Sequence, residues 1–126
     1  SRSTWRSESR FTSILQIWFK ADDDMMYEKI RLELIIERMA SKRACRILET
    51  AGVSGYTVLP ALSGYGRGSR WQRDRDLSAS QDMVVIVCIS DEVPIRNVLL
   101  ELHELLDQHI GILNTSRVEV LRSDRF

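Results

Sequence analysis

The chain has 126 residues, enough for one domain with a real core, and its 18 Lys and Arg balance its 18 Asp and Glu. That balance excludes a global basic field of the kind that gathers nucleic acid, and no apolar run approaches the roughly 20 residues of a membrane-spanning helix. Cys45 and Cys88, the only cysteines, form neither a CxxC pair nor a zinc spacing. They read as buried thiols of a cytoplasmic, reducing compartment, with a redox-sensitive bridge between them as the alternative.

Residues 1–24 differ in composition from the rest of the chain. Ser1 to Arg10 is rich in Ser and Arg, Phe11 to Phe19 forms a short apolar patch, and Asp22-Asp23-Asp24 closes it. The order of charge, apolar core and small residues required of a signal peptide is missing. The composition break predicts an extension outside the fold, with the domain occupying 25–126; an amphipathic arm that docks on a partner is the other reading.

From Tyr27 to Glu37, Ile30, Leu32, Leu34 and Ile36 alternate with Arg31, Glu33, Ile35 and Glu37, the period of a strand. From Met39 the period changes. Ala44, Ile47, Leu48 and Ala51 fall at helical spacing, with Ser41 as cap or first-turn residue and Gly52 at the C′ position. Lys42, Arg43 and Arg46 lie off that stripe and read as a solvated face. Tyr56 to Leu62 is a second strand, and Pro60 places it at an edge or beside a bulge.

A polar segment then runs to about Asp82, headed by Gly64-Tyr65-Gly66-Arg67-Gly68-Ser69-Arg70-Trp71. It is far longer than a hairpin turn, and compact domains seldom carry such a connection without a use for it. Glycine lets backbone amides approach an anion, and arginine offers a planar fork for phosphate or carboxylate. The two readings are a solvated excursion and an anion-binding, partner-facing loop.

Met83 to Ile89 is apolar throughout and predicts a central strand buried on both faces. Ser90-Asp91-Glu92 and Pro94 supply a helix start. Ile95, Val98, Leu99, Leu102, Leu105, Leu106 and Ile110 follow at helical spacing, with Gly111 as terminator. His103 and His109 are six residues apart and share no face as metal ligands would. Ile112 to Asn114 predicts loose pairing and Val118 to Leu121 a short last strand.

The order is β-α-β-β-α-β: an α+β, ferredoxin-like fold with both helices on one sheet face. The apolar content of the strands predicts that other subunits cover the second face. Such sheets host unrelated functions. Met83 to Ile89 lacks the aromatics of an RNA-recognition strand, and no catalytic constellation stands out, so the chain reads as a binding protein, not an enzyme.

Gly52-Val53-Ser54-Gly55-Tyr56-Thr57-Val58, then Gly64-Tyr65-Gly66-Arg67, resembles the PII signalling family, which has Gly-x-x-Gly-x-Thr-Val and then Gly-x-Gly-Arg opening its T-loop. Val118-Glu119-Val120-Leu121-Arg122 resembles that family's final strand. The resemblance covers about Met26 to the end. It implies a homotrimer with a long T-loop between the second and third strands and adenine nucleotide in the clefts between subunits. On that reading the nucleotide-binding residues are Thr57, Gly64, Gly66, Arg67, Ile89, Arg122 and Arg125, with Arg122 reaching from a neighbouring chain.

Nitrogen-regulatory PII proteins follow the arginine with a glutamine that serves magnesium and 2-oxoglutarate; here Gly68 stands there. The sequence is therefore more similar to PII-like proteins of inorganic-carbon metabolism, including the carboxysome-associated type. That implies ADP or AMP, or ATP, together with bicarbonate, and no metal or resident cofactor. Bicarbonate would sit at Arg67, Gly68, Ser69 and Arg70. Trp71, Arg73 and Arg75 would meet a protein partner such as a bicarbonate transporter or a carboxysome component. The alternatives are a nitrogen-type sensor of ATP, ADP and 2-oxoglutarate, and a CutA-like structural or metal-binding trimer.

Overall fold

The computed structural model describes residues 26–66, 69–72 and 82–121, with the side chains of 69–72 excepted. The 1–24 segment lies outside the described residues. In chain order the elements are β1 (Tyr27–Glu37), α1 (Arg38–Thr50), β2 (Tyr56–Pro60), β3 (Ser63–Gly66), β4 (Ser69–Gln72), β5 (Met83–Ser90), α2 (Glu92–Gln108) and β6 (Gly111–Val120).

Four strands form one antiparallel sheet in the order β2-β5-β1-β6, while β3 and β4 pair separately. This is the ferredoxin-like arrangement with a hairpin added. The apolar β5 lies inside the sheet, as its unbroken β-branched run requires. Pro60 lies on β2, an edge strand, where its missing N–H breaks no ladder bond.

Alternation along β1 sorts its side chains. Ile30, Leu32, Leu34 and Ile36 join Val84, Ile86 and Cys88 of β5 on one face, beneath Ala40, Ala44 and Leu48 of α1 and Ile95, Val98, Leu102 and Leu105 of α2. Both helices therefore cover the same face. Leu34 and Leu102 are wholly buried, and each such leucine contributes roughly 1.5–3 kcal/mol.

Helix α1 ends in a Schellman motif: Gly52 N–H donates to the Glu49 carbonyl (3.1 Å) and Val53 N–H to that of Leu48 (3.4 Å). Gly52 has φ 81°, the left-handed region that glycine enters without a Cβ penalty. Ser41 sits in the first turn, its hydroxyl bonded to the Arg38 carbonyl at 2.8 Å.

Four local expectations are corrected. Ser90 ends β5 and does not cap α2; its buried hydroxyl accepts the Ser54 N–H at 3.1 Å and ties down the α1–β2 turn. Asp91 holds the N-cap position, but its carboxylate serves Lys29 instead of the helix amides. Helix α2 stops at Gln108, short of Ile110, and Gly111 opens β6 with no role in closing the helix. A Cβ on Gly111 would meet the Ile35 carbonyl oxygen at 2.5 Å, so close strand approach explains the glycine. The last strand is continuous from Gly111 to Val120, because β1 offers it a partner at every position from Tyr27 to Ile36.

Candidate ligand-binding site

Of the predicted site residues, Thr57, Gly64, Gly66 and Ile89 are fully described, on β2, on the hairpin that follows it and on β5. Thr57 pairs with Val87 of β5 and is exposed on the sheet face away from the helices. Ile89 lies on that same face, half-buried, one pleat further along β5. The head of the polar segment, read as a loop, is an antiparallel hairpin: Gly64 opposes Trp71, and Gly66 opposes Ser69. Period-two alternation is too short over Ser63–Gly66 to announce a strand, which is why the pattern missed it. Gly64 is half-buried and Gly66 exposed, with nothing within 4 Å of where a Cβ on Gly66 would stand. Arg67, Gly68, Arg73, Arg75, Arg122 and Arg125 lie outside the described residues, as do the side chains of Ser69, Arg70 and Trp71.

The root of this segment is fastened at one end of the sheet. Ala61 N–H donates to the Met83 carbonyl at 3.1 Å where the chain leaves β2. Where it returns, Arg38 N–H donates to the Asp82 carbonyl at 2.8 Å, and the Arg38 guanidinium meets the Asp82 carboxylate at 3.1 Å. The neighbouring Glu37 is buried, and its carboxylate accepts the Ile110 N–H at 2.6 Å.

The sheet face turned away from the two helices carries a second feature that no local sequence pattern announces. Register sets Thr57, Val87, Glu33 and Asn114 in one row across four strands, and Leu59, Val85, Ile35 and Ile112 in the next. Glu33 accepts from Arg31 at 3.0 Å and from the Asn114 amide at 3.2 Å. The Arg31 bond first, and the Asn114 bond second, hold the Glu33 carboxyl below its ordinary range. Around this polar cluster the face is apolar, with Leu59 and Ile112 about half-exposed. Asn114 and Glu33 are 81 residues apart, so only the strand register joins them.

On the helix side of β2 lies an open groove of about 540 Å³, lined by Ser41, Lys42, Cys45, Arg46, Glu49, Tyr56 and Val58. It contains none of the predicted site residues. Burial pushes the Cys45 thiol up, and its hydrogen bond with Tyr56 opposes that. The same bond, with burial, pushes the Tyr56 phenol up to about 12. Cys45 and Cys88 are both free thiols. Among the described residues no cluster of three or more His, Cys, Asp or Glu could hold a metal, and no helix is long and apolar enough to cross a membrane.

Residues 13–120 match the model of the DUF190 family, described as "Uncharacterized ACR". The match begins inside the 1–24 segment. Curated proteins return no match. Among solved structures, the chain is similar to CPII, a nitrogen regulatory PII-like protein from Thiomonas intermedia K12, bound to ADP, AMP and bicarbonate. Identity is 25%, the TM-score is 0.73, and the alignment covers 80% of this chain and 95% of that one. CPII bound to ADP and bicarbonate aligns at 26% identity and TM-score 0.69, over 80% of this chain and 96% of that one. A protein of Thermus thermophilus, classed provisionally as PII-like signaling, aligns at 22% identity and TM-score 0.67 over 81% and 98% of the two chains, and bears on the fold alone.

Proposed function

This chain belongs to the DUF190 family and is PII-like, and from that we propose that it is a regulator that binds ADP or AMP together with bicarbonate. The observation that carries the reading is the glycine hairpin that follows β2 at the head of the long segment, with Thr57 exposed on that edge strand, in a chain similar to a PII-like protein solved with those ligands. Backbone amides at Gly64 and Gly66 and the Arg67 fork suit phosphate oxygens, and Thr57 and Ile89 suit the nucleoside. Arg67, Gly68, Ser69 and Arg70 suit bicarbonate, whose planar oxygens an arginine fork meets two at a time.

The protein acts by binding, without catalysis. The apolar sheet face with its Arg31–Glu33–Asn114 cluster supports a homotrimer in which other copies cover that face and deliver Arg122 and Arg125 to the nucleotide. Ligand binding orders the segment from Gly68 to about Asp82, and the ordered surface, with Trp71, Arg73 and Arg75, meets a protein partner of inorganic-carbon metabolism, such as a bicarbonate transporter or carboxysome component. Domain limits of 25–126, with 1–24 outside, belong to the same proposal.

Calorimetry tests it. ADP or AMP should bind without 2-oxoglutarate, and bicarbonate should alter the nucleotide affinity. Light scattering should give the mass of three chains. Nucleotide binding that requires 2-oxoglutarate and magnesium, or no nucleotide binding at all, would overturn the reading.

A further inference from the structure

On β1, an inner strand, the register gathers charge on the sheet face turned away from the helices, and the polar groups there are only partly used. Arg31 stands opposite Ile89 on β5 and Ser116 on β6, one row along from Thr57, Val87, Glu33 and Asn114. The row on the other side, Leu59, Val85, Ile35 and Ile112, is apolar. Arg31 Nη2 donates to Glu33 Oε2 at 3.0 Å and Asn114 Nδ2 to Glu33 Oε1 at 3.2 Å, with the Arg31 and Glu33 side chains 32% and 26% exposed. An ionised carboxylate only accepts, so the amide turns its nitrogen to Glu33 and its oxygen outward. Both Glu33 oxygens are engaged, while a guanidinium carries more donors than one oxygen takes. Among the described residues Arg31 meets no other acceptor, and nothing donates to the Asn114 side-chain oxygen.

We propose that the Arg31–Glu33–Asn114 cluster is the element by which one copy of this chain recognises another and fixes their register, with Arg31 of one copy donating to the Asn114 oxygen and the Glu33 carboxylate of the next. The proposal rests on the homotrimer reading and deepens it by naming the contact. Whatever covers this face has to meet two demands at once. It must bury Leu59 and Ile112, which are 47% and 60% exposed, and it must offer oxygens to Arg31. A purely apolar cover would shut the guanidinium donors away from water without partners, which is costly. A second copy meets both demands. It brings the same apolar row and, beside it, a cluster of one positive charge, one negative charge and a free amide oxygen, complementary to the first. A rotation axis running along the strands keeps every row at its own level, so that apolar row meets apolar row and cluster meets cluster. A slip of one row would lay the cluster against the apolar row and leave its donors unpaired. The polar contact, and not the apolar area, therefore selects the register.

The test is the mass of the full chain across a dilution series, read by light scattering, with far-UV circular dichroism on the same samples. Arg31→Met keeps the apolar stem and removes the donors. The concentration at which the assembly falls to monomer should rise roughly ten- to a hundredfold, the loss of one charge-assisted contact. The dichroism should not change, because the core lies on the other face of the sheet. Arg96→Met, the same exchange on an exposed residue of α2, should change neither reading. Arg31→Met combined with Glu33→Leu and Asn114→Leu removes the polar demand altogether. That chain should assemble as tightly as its parent, but into a mixture of masses. A parent chain that stays monomeric would overturn the homotrimer reading and this contact with it. A parent trimer that Arg31→Met leaves equally tight, or an Arg31→Met chain that loses its dichroism, would overturn the role of the cluster alone. A triple variant that keeps the single mass of its parent would overturn the hold of the cluster on register.

Discussion

Replacing Gly111 with alanine tests the geometry at the β6 origin. The added Cβ would stand 2.5 Å from the Ile35 carbonyl oxygen, 2.8 Å from Leu106 Cδ2 and 3.2 Å from Ile36 Cγ1, against an ordinary contact of 3.4–4 Å. The leucine can turn away. The carbonyl cannot, because it belongs to β1, the strand on which both β5 and β6 are hung. Relief therefore requires β6 to move away by most of an ångström at its first residue, beside the Glu37–Ile110 bonds. Overpacking of this kind costs roughly 1–3 kcal/mol, and an unyielding backbone neighbour puts the value in the upper half. For a domain of this size that is roughly 8–20 °C in Tm. Denaturant melts at fixed protein concentration measure it. Two other glycines calibrate the result. Gly55 has open space around it, so Gly55→Ala should be neutral or stabilise by up to about 1 kcal/mol through the unfolded chain. Gly52 also has space but sits at φ 81°, so Gly52→Ala should cost roughly 1 kcal/mol from backbone strain alone. A Gly111→Ala protein as stable as its parent, or a Gly55→Ala protein equally damaged, would refute the close-approach argument.

Stability should fall in alkali. The Cys88 thiol is pushed up to about 11 by burial, so between the unfolded thiol range and that value the native chain holds the extra proton, and raising the pH destabilises it by up to about 1.4 kcal/mol per unit. Melts from neutral to alkaline pH, compared between the parent and Cys88→Ala, isolate the effect. Arg67→Ala should weaken ADP binding roughly ten- to a hundredfold without changing the fold, the loss expected of one charge-assisted contact of roughly 1.5–3 kcal/mol. Trp71→Ala should leave nucleotide affinity intact and weaken partner binding, read by calorimetry and by pull-down with the partner. A chain beginning at Met25 should keep its assembly, Tm and nucleotide affinity; a large loss in any of them would make the 1–24 segment part of the domain, as the family match from residue 13 allows.

The elements were legible in the amino-acid sequence because their periods are local. Alternation of Ile30, Leu32, Leu34 and Ile36 names a strand, helical spacing from Ile95 to Leu105 names a helix, and Pro60 marks an edge, each within one stretch of chain. The Gly-x-Gly-Arg run and its upstream Thr-Val are equally local, and they point to the family without any coordinate. Contacts that join distant residues left no such trace. Nothing in the polar 63–72 stretch revealed that Gly64 faces Trp71 in a hairpin, since four-residue strands are too short to carry a period. The Arg31–Glu33–Asn114 cluster depends on the β1–β6 register, and Ser90 was free for the α1–β2 turn only because that turn passes over the end of β5. Gly111 reads in one dimension as a helix stop. Only the closeness of β1 turns it into a steric requirement, and only the same closeness brings Glu37 to the Ile110 amide across 73 residues. A sequence records what each segment prefers by itself, while which segments touch is settled when burial of their shared apolar face fixes register and approach.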